Sequence, residues 1–224
     1  MSTALIVGAS RGIGAELARQ YRSDGWRVIA TVRKLADGDN LREFGCEILQ
    51  VDIDKVEQCA ALGWQLDDER LDVAIVCAGM YGPDTAGLDA PSAADFDAVM
   101  HANVLGAMRL LSLLGPLVAN AKGRLAVLSS IMGSIGLRAN TNGCLYRASK
   151  AALNSVLADA ALTFGPAGAI CVAMHPGWVR TDMGGSEADL SVAESTAGIR
   201  ATLNKIRPAD NGHFLNYDGT PLPW

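Results

Sequence analysis

The chain has 224 residues, of which 50% are hydrophobic and 19% charged; this supplies one sizeable core and excludes a disordered chain. Nineteen Lys and Arg against 24 Asp and Glu leave a net charge of −5, so no nucleic-acid partner and no membrane partner is expected. Five cysteines, Cys46, Cys59, Cys77, Cys144 and Cys171, include no C-x-x-C pair; they suit a reducing cytoplasm and point to neither a disulfide framework nor a zinc site.

The opening Met1-Ser2-Thr3-Ala4 runs directly into Leu5-Ile6-Val7 with no basic stretch before it, so no signal peptide is expected. No continuous run approaches the ~20 apolar residues that a bilayer span requires. Short apolar runs at 5–7, 27–32, 47–51, 73–77, 124–128 and 170–174 read as strands buried on both faces. Amphipathic or Ala-rich stretches at 15–23, 56–66, 93–114 and 144–164 read as helices. Strands spaced by helices pair in parallel through right-handed crossovers. The expected fold class is therefore α/β: a single-domain Rossmann-type doubly wound parallel sheet with helices on both faces, spanning 1–224. Ser92, three residues before Asp95, reads as the N-cap of the helix that begins at 93. Near the end, Leu215-Asn216-Tyr217-Asp218-Gly219 reads as a last short strand running into a turn.

Between the first strand and the first helix stands Gly8-Ala9-Ser10-Arg11-Gly12-Ile13-Gly14. Glycines let a phosphate approach the backbone, and the helix start offers free N–H groups and the positive end of its dipole. With a strand before it and a second strand after the helix, the loop reads as a dinucleotide cradle. The second strand ends Ala30-Thr31-Val32-Arg33-Lys34, with no acidic residue to hold a ribose 2′-hydroxyl. Arg33 and Arg11 instead offer two guanidinium groups for a 2′-phosphate, so NADP(H) is expected in preference to NAD(H).

Tyr146-Arg147-Ala148-Ser149-Lys150 places a phenol and an ammonium four residues apart on one helix face. A free tyrosine titrates near ~10, and a neighbouring ammonium is expected to draw that value down. Tyr146 is thereby a candidate acid for a carbonyl or base for an alcohol. The strand at 124–128 leads into Ser129-Ser130, at the sheet edge where α/β folds place their chemistry. Either hydroxyl is a candidate donor to a substrate oxygen.

Together these motifs resemble the short-chain dehydrogenase/reductase family from Thr3 to about Asp182. Ser130-Ile131-Met132-Gly133-Ser134-Ile135-Gly136 and the closing Tyr217-Asp218-Gly219 resemble its C-factor-like subgroup. The resemblance implies a catalytic set of Asn103, Ser130, Tyr146 and Lys150, with Ser130 favoured over Ser129 and Asn103 supporting a water relay to Lys150. It implies cofactor contacts from Gly8, Ser10, Arg11, Gly12, Ile13, Gly14 and Arg33. It adds Asp52 at the adenine, Ala78 and Gly79 beside the adenosine, and Tyr146 and Lys150 at the nicotinamide ribose. Pro176, Gly177, Val179 and Thr181 belong to the segment that meets the nicotinamide carboxamide and phosphates. Cys77 stands where the family has Asn, which weakens a strand-to-strand tether. The interval from Ser130 to Tyr146 is longer than usual, and residues 138–143 are expected to loop at the pocket mouth.

The implied activity is hydride transfer between NADP(H) and a small carbonyl compound or its alcohol. The alternative is a nucleotide-binding signalling protein with incidental catalysis. A homo-oligomer, dimer or tetramer, is implied through the helices at 93–114 and 144–164, where Ala148, Ala151, Ala152, Ser155 and Ala158 permit close contact. His101, His175 and His213 lack metal-ligand spacing, so no metal is expected; His175 reads as structural.

Overall fold

The computed structural model describes residues 1–85 and 87–224. Seven strands form one sheet: β1 (Thr3–Val7), β2 (Arg27–Val32), β3 (Glu47–Gln50), β4 (Val73–Val76), β5 (Arg124–Leu128), β6 (Ile170–His175) and β7 (Phe214–Asn216). Their order is β3-β2-β1-β4-β5-β6-β7, and every neighbouring pair is parallel. The chain winds outward from β1 to β3 and then returns to lay β4 against the other side of β1. That reversal opens a crevice beyond the C-terminal ends of β1 and β4, where doubly wound sheets bind ligands.

Helices cover both faces, which is why the strands read as unbroken apolar runs. On one face Leu5, Val7, Val76 and Val127 pack under α5 (Gly106–Ala121) and α6 (Cys144–Phe164), against Leu110, Leu114, Leu153 and Leu157. On the other, Ala4, Ile6, Ile75 and Val172 meet Leu17 and Tyr21 of α1 (Gly12–Ser23) and Ile199 and Leu203 of α7 (Val192–Lys205). Full burial of each such aliphatic side chain contributes about 1.5–3 kcal/mol, before conformational entropy is set against it.

Several boundaries differ from the sequence reading. The first helix starts at Gly12, three residues early, because the glycine loop itself winds into its first turn. The stretch at 93–114 is α4 (Ala93–Met100), a π-helical turn (His101–Leu105) and α5, continuous to Ala121 with Pro116 inside. That 29-residue segment has the length and apolarity of a bilayer span, but more than half of its apolar window is buried within the fold. Helix α7 was not expected, although Ser191-Val192-Ala193-Glu194 spells its capping box. The short α2 (Asp39–Glu43) was also missed, whereas α3 (Val56–Gln65) lies where the periodicity placed it. The Ser92 cap is present, its hydroxyl accepting from Asp95 N–H at 3.1 Å.

Candidate active site

The cofactor wall begins at the end of β1. Gly8 and Gly12 take φ of +86° and +56°, the left-handed region that favours glycine. A Cβ on Gly14 would lie 2.2 Å from the Gly8 carbonyl oxygen, and one on Gly8 would lie 2.8 Å from Ala78 N. The loop is thus a cradle that any side chain would fill. Ser10 and Arg11 are exposed, Ile13 is half-buried, and no side chain caps the start of α1. Across the cradle, the Thr181 methyl lies 3.5 Å from the place of a Gly12 Cβ. Thr181 Oγ1 accepts from Gly184 N–H at 3.1 Å, and Val179 bridges to Leu190, so the segment after Pro176-Gly177 forms a closed loop over the phosphate side.

The two arginines expected at a 2′-phosphate are both exposed, but they are not equivalent. Arg11 is bound to Asp182, Nη1 to Oδ2 at 2.6 Å. Arg33 extends from the end of β2 and presents its backbone carbonyl to Gln50 Nε2 at 3.1 Å. Asp182 is 72% exposed yet paired. Asp52 follows β3, where its carboxylate accepts from Asp54 N–H at 3.2 Å.

The wall that carries the candidate catalytic residues is buried. Ser129 and Ser130 both end β5, and their hydroxyls separate the two candidates. Ser129 donates to Asn154 Oδ1 at 2.5 Å within the core, whereas Ser130 Oγ accepts from Met132 N–H at 3.1 Å and lies close enough to the Tyr146 hydroxyl to affect its titration. Lys150 Nζ lies 5.6 Å from the centroid of the Tyr146 ring and donates to the Leu128 carbonyl at 2.8 Å. Helix α6 therefore brings the phenol and the ammonium to one place, as the four-residue spacing requires. The expected depression of the phenol does not hold, however. Burial pushes Tyr146 up to about 12, with the nearby Ser130 hydroxyl opposing it only in part. The same burial lowers Lys150 to about 8.

Asn103 sits in the π-helical turn, a geometry that often marks functional positions. Its Oδ1 accepts from Met80 N–H and its Nδ2 donates to the Met80 carbonyl, both at 2.8 Å; Nδ2 also donates to Ser149 Oγ at 2.9 Å. The side chain thus clamps the loop after β4 to α6 and is fully engaged in doing so. Gly79 passes beneath, where a Cβ would stand 3.0 Å from Asn103 Oδ1 and 3.5 Å from Lys150 Nζ. Cys77, in place of the family's Asn, donates its backbone N–H to Val7 O at 2.8 Å, and burial raises its thiol to about 12. His175 has a buried Nδ1 without a hydrogen-bond partner, and burial lowers it to about 4, so it stays neutral.

Tyr81 escaped the sequence reading. Its ring lies 4.8 Å from that of Tyr146 at a tilt of 34°, forming an aromatic lip beside the phenol. Its position two residues after Gly79, at the C-terminal edge of the sheet, was the available signal. Trp224 covers an apolar patch on its own chain, with its ring 5.7 Å from Phe214.

Known proteins share this fold. The family model described as short chain dehydrogenase matches residues 2–190. The chain is 37% identical to C-signal of Myxococcus xanthus over 155 residues, 69% of this chain and 93% of that protein. Among solved structures, the carbonyl reductase Sniffer of D. melanogaster superposes with a TM-score of 0.91 at 30% identity, covering all of both chains. A carbonyl reductase from Pseudomonas aeruginosa PAO1 in complex with NADP gives 0.81 at 36%, again covering all of both. The chain belongs to the short-chain dehydrogenase family of oxidoreductases.

Proposed function

We propose that the protein is an NADP(H)-dependent carbonyl reductase that interconverts a small carbonyl compound and its alcohol. The observation that carries this reading is the meeting of Ser130, Tyr146 and Lys150 at the sheet edge, in the same crevice as the glycine cradle. The cradle of Gly8, Ser10, Arg11, Gly12, Ile13 and Gly14 fits a pyrophosphate, and Arg33 with Arg11 fits a 2′-phosphate. Asp52, Ala78 and Gly79 would line the adenosine. Pro176, Gly177, Val179 and Thr181 would meet the nicotinamide end, with Tyr146 and Lys150. The NADP-bound carbonyl reductase structure supports this choice of cofactor.

When bound, the nicotinamide supplies or accepts the hydride. Tyr146, protonated throughout the neutral range, gives its proton to the carbonyl oxygen as negative charge develops there, so the site is poised for reduction. Ser130 donates to the same oxygen. The Lys150 ammonium stabilises the phenolate left behind, and Asn103 fixes the loop after β4 against α6. The five unpaired cysteines support a cytoplasmic setting. Exposed Met108 and Leu162 on α5 and α6 support assembly as a dimer or tetramer.

Replacing Tyr146 with Phe tests the proposal. Turnover is expected to fall by about 10²–10⁴ while NADPH binds within about twofold of wild type; a loss under about tenfold would remove the general-acid role. Similarity to C-signal supports a second reading, a nucleotide-binding signalling protein. Tight NADPH binding without oxidation by any aldehyde, diketone or quinone would favour that reading.

A further inference from the structure

We infer that the pocket against Arg147, which Met132 joins to Ser130, is a carboxylate subsite, and that the substrate is a carbonyl compound carrying a carboxylate. This deepens the carbonyl-reductase reading and rests on it. The first observation is in the sequence. Between Asp97 and Asp159 this acidic chain holds no Asp or Glu, yet it holds Arg109, Lys122, Arg124, Arg138, Arg147 and Lys150. Of these, Arg138, Arg147 and Lys150 lie in the loop at 131–143 and the first turns of α6, past the C-terminal end of β5, whereas Lys122 and Arg124 stand at its opposite end.

The second observation is Arg147. It is 6% exposed, and its guanidinium meets only neutral acceptors: Nε donates to the Asn142 carbonyl at 2.7 Å and Nη2 to Asn140 Oδ1 at 2.6 Å. Among the described residues no carboxylate lies within 4 Å of it. Nη1 has no acceptor among them either, and it is not walled off from solvent. A desolvated cation without a counter-charge is costly, and an anion placed against it offsets that cost.

The third observation is the space in front of it. A cavity of about 360 Å³ is lined by Ile131, Met132, Leu137, Asn140, Asn142 and Arg147. Met132 N–H donates to Ser130 Oγ at 3.1 Å, so this cavity shares a wall with the hydroxyl that would hold the reacting oxygen. Helix α6 begins here with no capping side chain, adding the positive end of its dipole. Exposed Arg138 stands on the same loop. With two of its donor groups already engaged, one guanidinium matches a singly charged carboxylate rather than a phosphate dianion, which needs more donors.

The test compares para-formylbenzoate with its methyl ester on the intact protein. Calorimetry with NADP⁺ present reads binding, and NADPH oxidation reads kcat/KM. The acid is expected to be favoured about tenfold or more in both, with the ratio falling as salt rises. Asn140→Asp places a carboxylate against Nη2 while leaving the Asn142 contact in place, and should bring the ratio close to one. Arg147→Met should do the same, with its melting temperature and NADPH affinity reporting whether it folds. A ratio of one in the wild type, or a ratio that Asn140→Asp leaves unchanged, would overturn the inference while leaving the reductase reading intact. Inorganic phosphate competing equally against acid and ester would overturn it too, marking a site for free anions. Acid-selective binding without turnover of either compound would uphold the subsite and overturn the reductase reading.

Discussion

On the cofactor side of the crevice the cations remain in water: Arg11 and Arg33 are exposed, and Arg11 has taken an equally exposed partner in Asp182. On the catalytic side Lys150 and Arg147 are 4% and 6% exposed and are held by carbonyl oxygens. The contrast follows from what each wall must do. A flexible, hydrated guanidinium can reach for a phosphate and release it, at a strength set by salt. A proton-transfer pair works only if its geometry is fixed before the substrate arrives, which requires burial and full hydrogen bonding. Burial then moves the titrations: Tyr146 goes up to about 12 and Lys150 down to about 8.

Lys150 gives the largest test of that contrast. Below about pH 8 its ammonium is charged and, in the proposed mechanism, would stabilise the phenolate formed on Tyr146; above it the charge is lost. Reductase kcat/KM is therefore expected to fall as pH rises through about 8. Lys150→Met should lose about a hundredfold or more at pH 7 and flatten that limb. The stability effect has the opposite sign. With a folded value near 8 and an unfolded value of about 10.4, the unfolded chain binds more protons between them. Relative to Lys150→Met, stability should rise with pH across that window by on the order of 3 kcal/mol; the comparison cancels buried thiols such as Cys77, whose raised titration acts with the opposite sign above about 9. Denaturant unfolding at several pH values measures it. A slope that survives the substitution would mean that another buried group is responsible.

How much of this was visible in the sequence differs between the same two walls. The glycine cradle and the Tyr146–Lys150 pair are local patterns, in which spacing alone fixes the geometry. What distinguishes Ser129 from Ser130 is Asn154, 25 residues on in the chain, which takes the Ser129 hydroxyl. The Tyr146 titration was misjudged because spacing reports the neighbouring charge and is blind to burial. Tyr81 and Asp182 were missed because their partners, Tyr146 and Arg11, are 65 and 171 residues away in the chain. Helix α7 was missed for a different reason: its capping box is explicit, but its apolar stripe is thin, with Ile199 and Leu203 sharing the buried face with Ser195, Thr196 and Thr202.

A smaller effect separates the two exposed arginines. Arg33 is free of any ion pair among the described residues, whereas Arg11 must leave Asp182 to reach a 2′-phosphate. Arg33→Ala is expected to weaken NADPH about tenfold, the scale of one charge-assisted contact, with little change for NADH. Arg11→Ala should cost less than that. Fluorescence titration of both cofactors against both variants makes the comparison. Equal losses for NADPH and NADH would show that these side chains do not read the 2′-phosphate.

Asp182→Asn carries the smallest expected change and the sharpest sign. The Arg11–Asp182 pair is more than 70% exposed on both sides, so its own contribution to stability is at most about 1 kcal/mol and the melting temperature should barely move. Its effect falls on binding instead. If the carboxylate competes with the 2′-phosphate for one guanidinium, removing it should tighten NADPH by about two- to fivefold and steepen the loss of affinity with salt, because a freed charge then meets the phosphate. NADH, which has no 2′-phosphate, should respond little. If the pair instead straps the loop at Thr181 over the cradle, both cofactors should weaken together. The two outcomes differ in direction for NADPH, so a single titration series at two ionic strengths decides whether Asp182 restrains the cofactor wall or closes it.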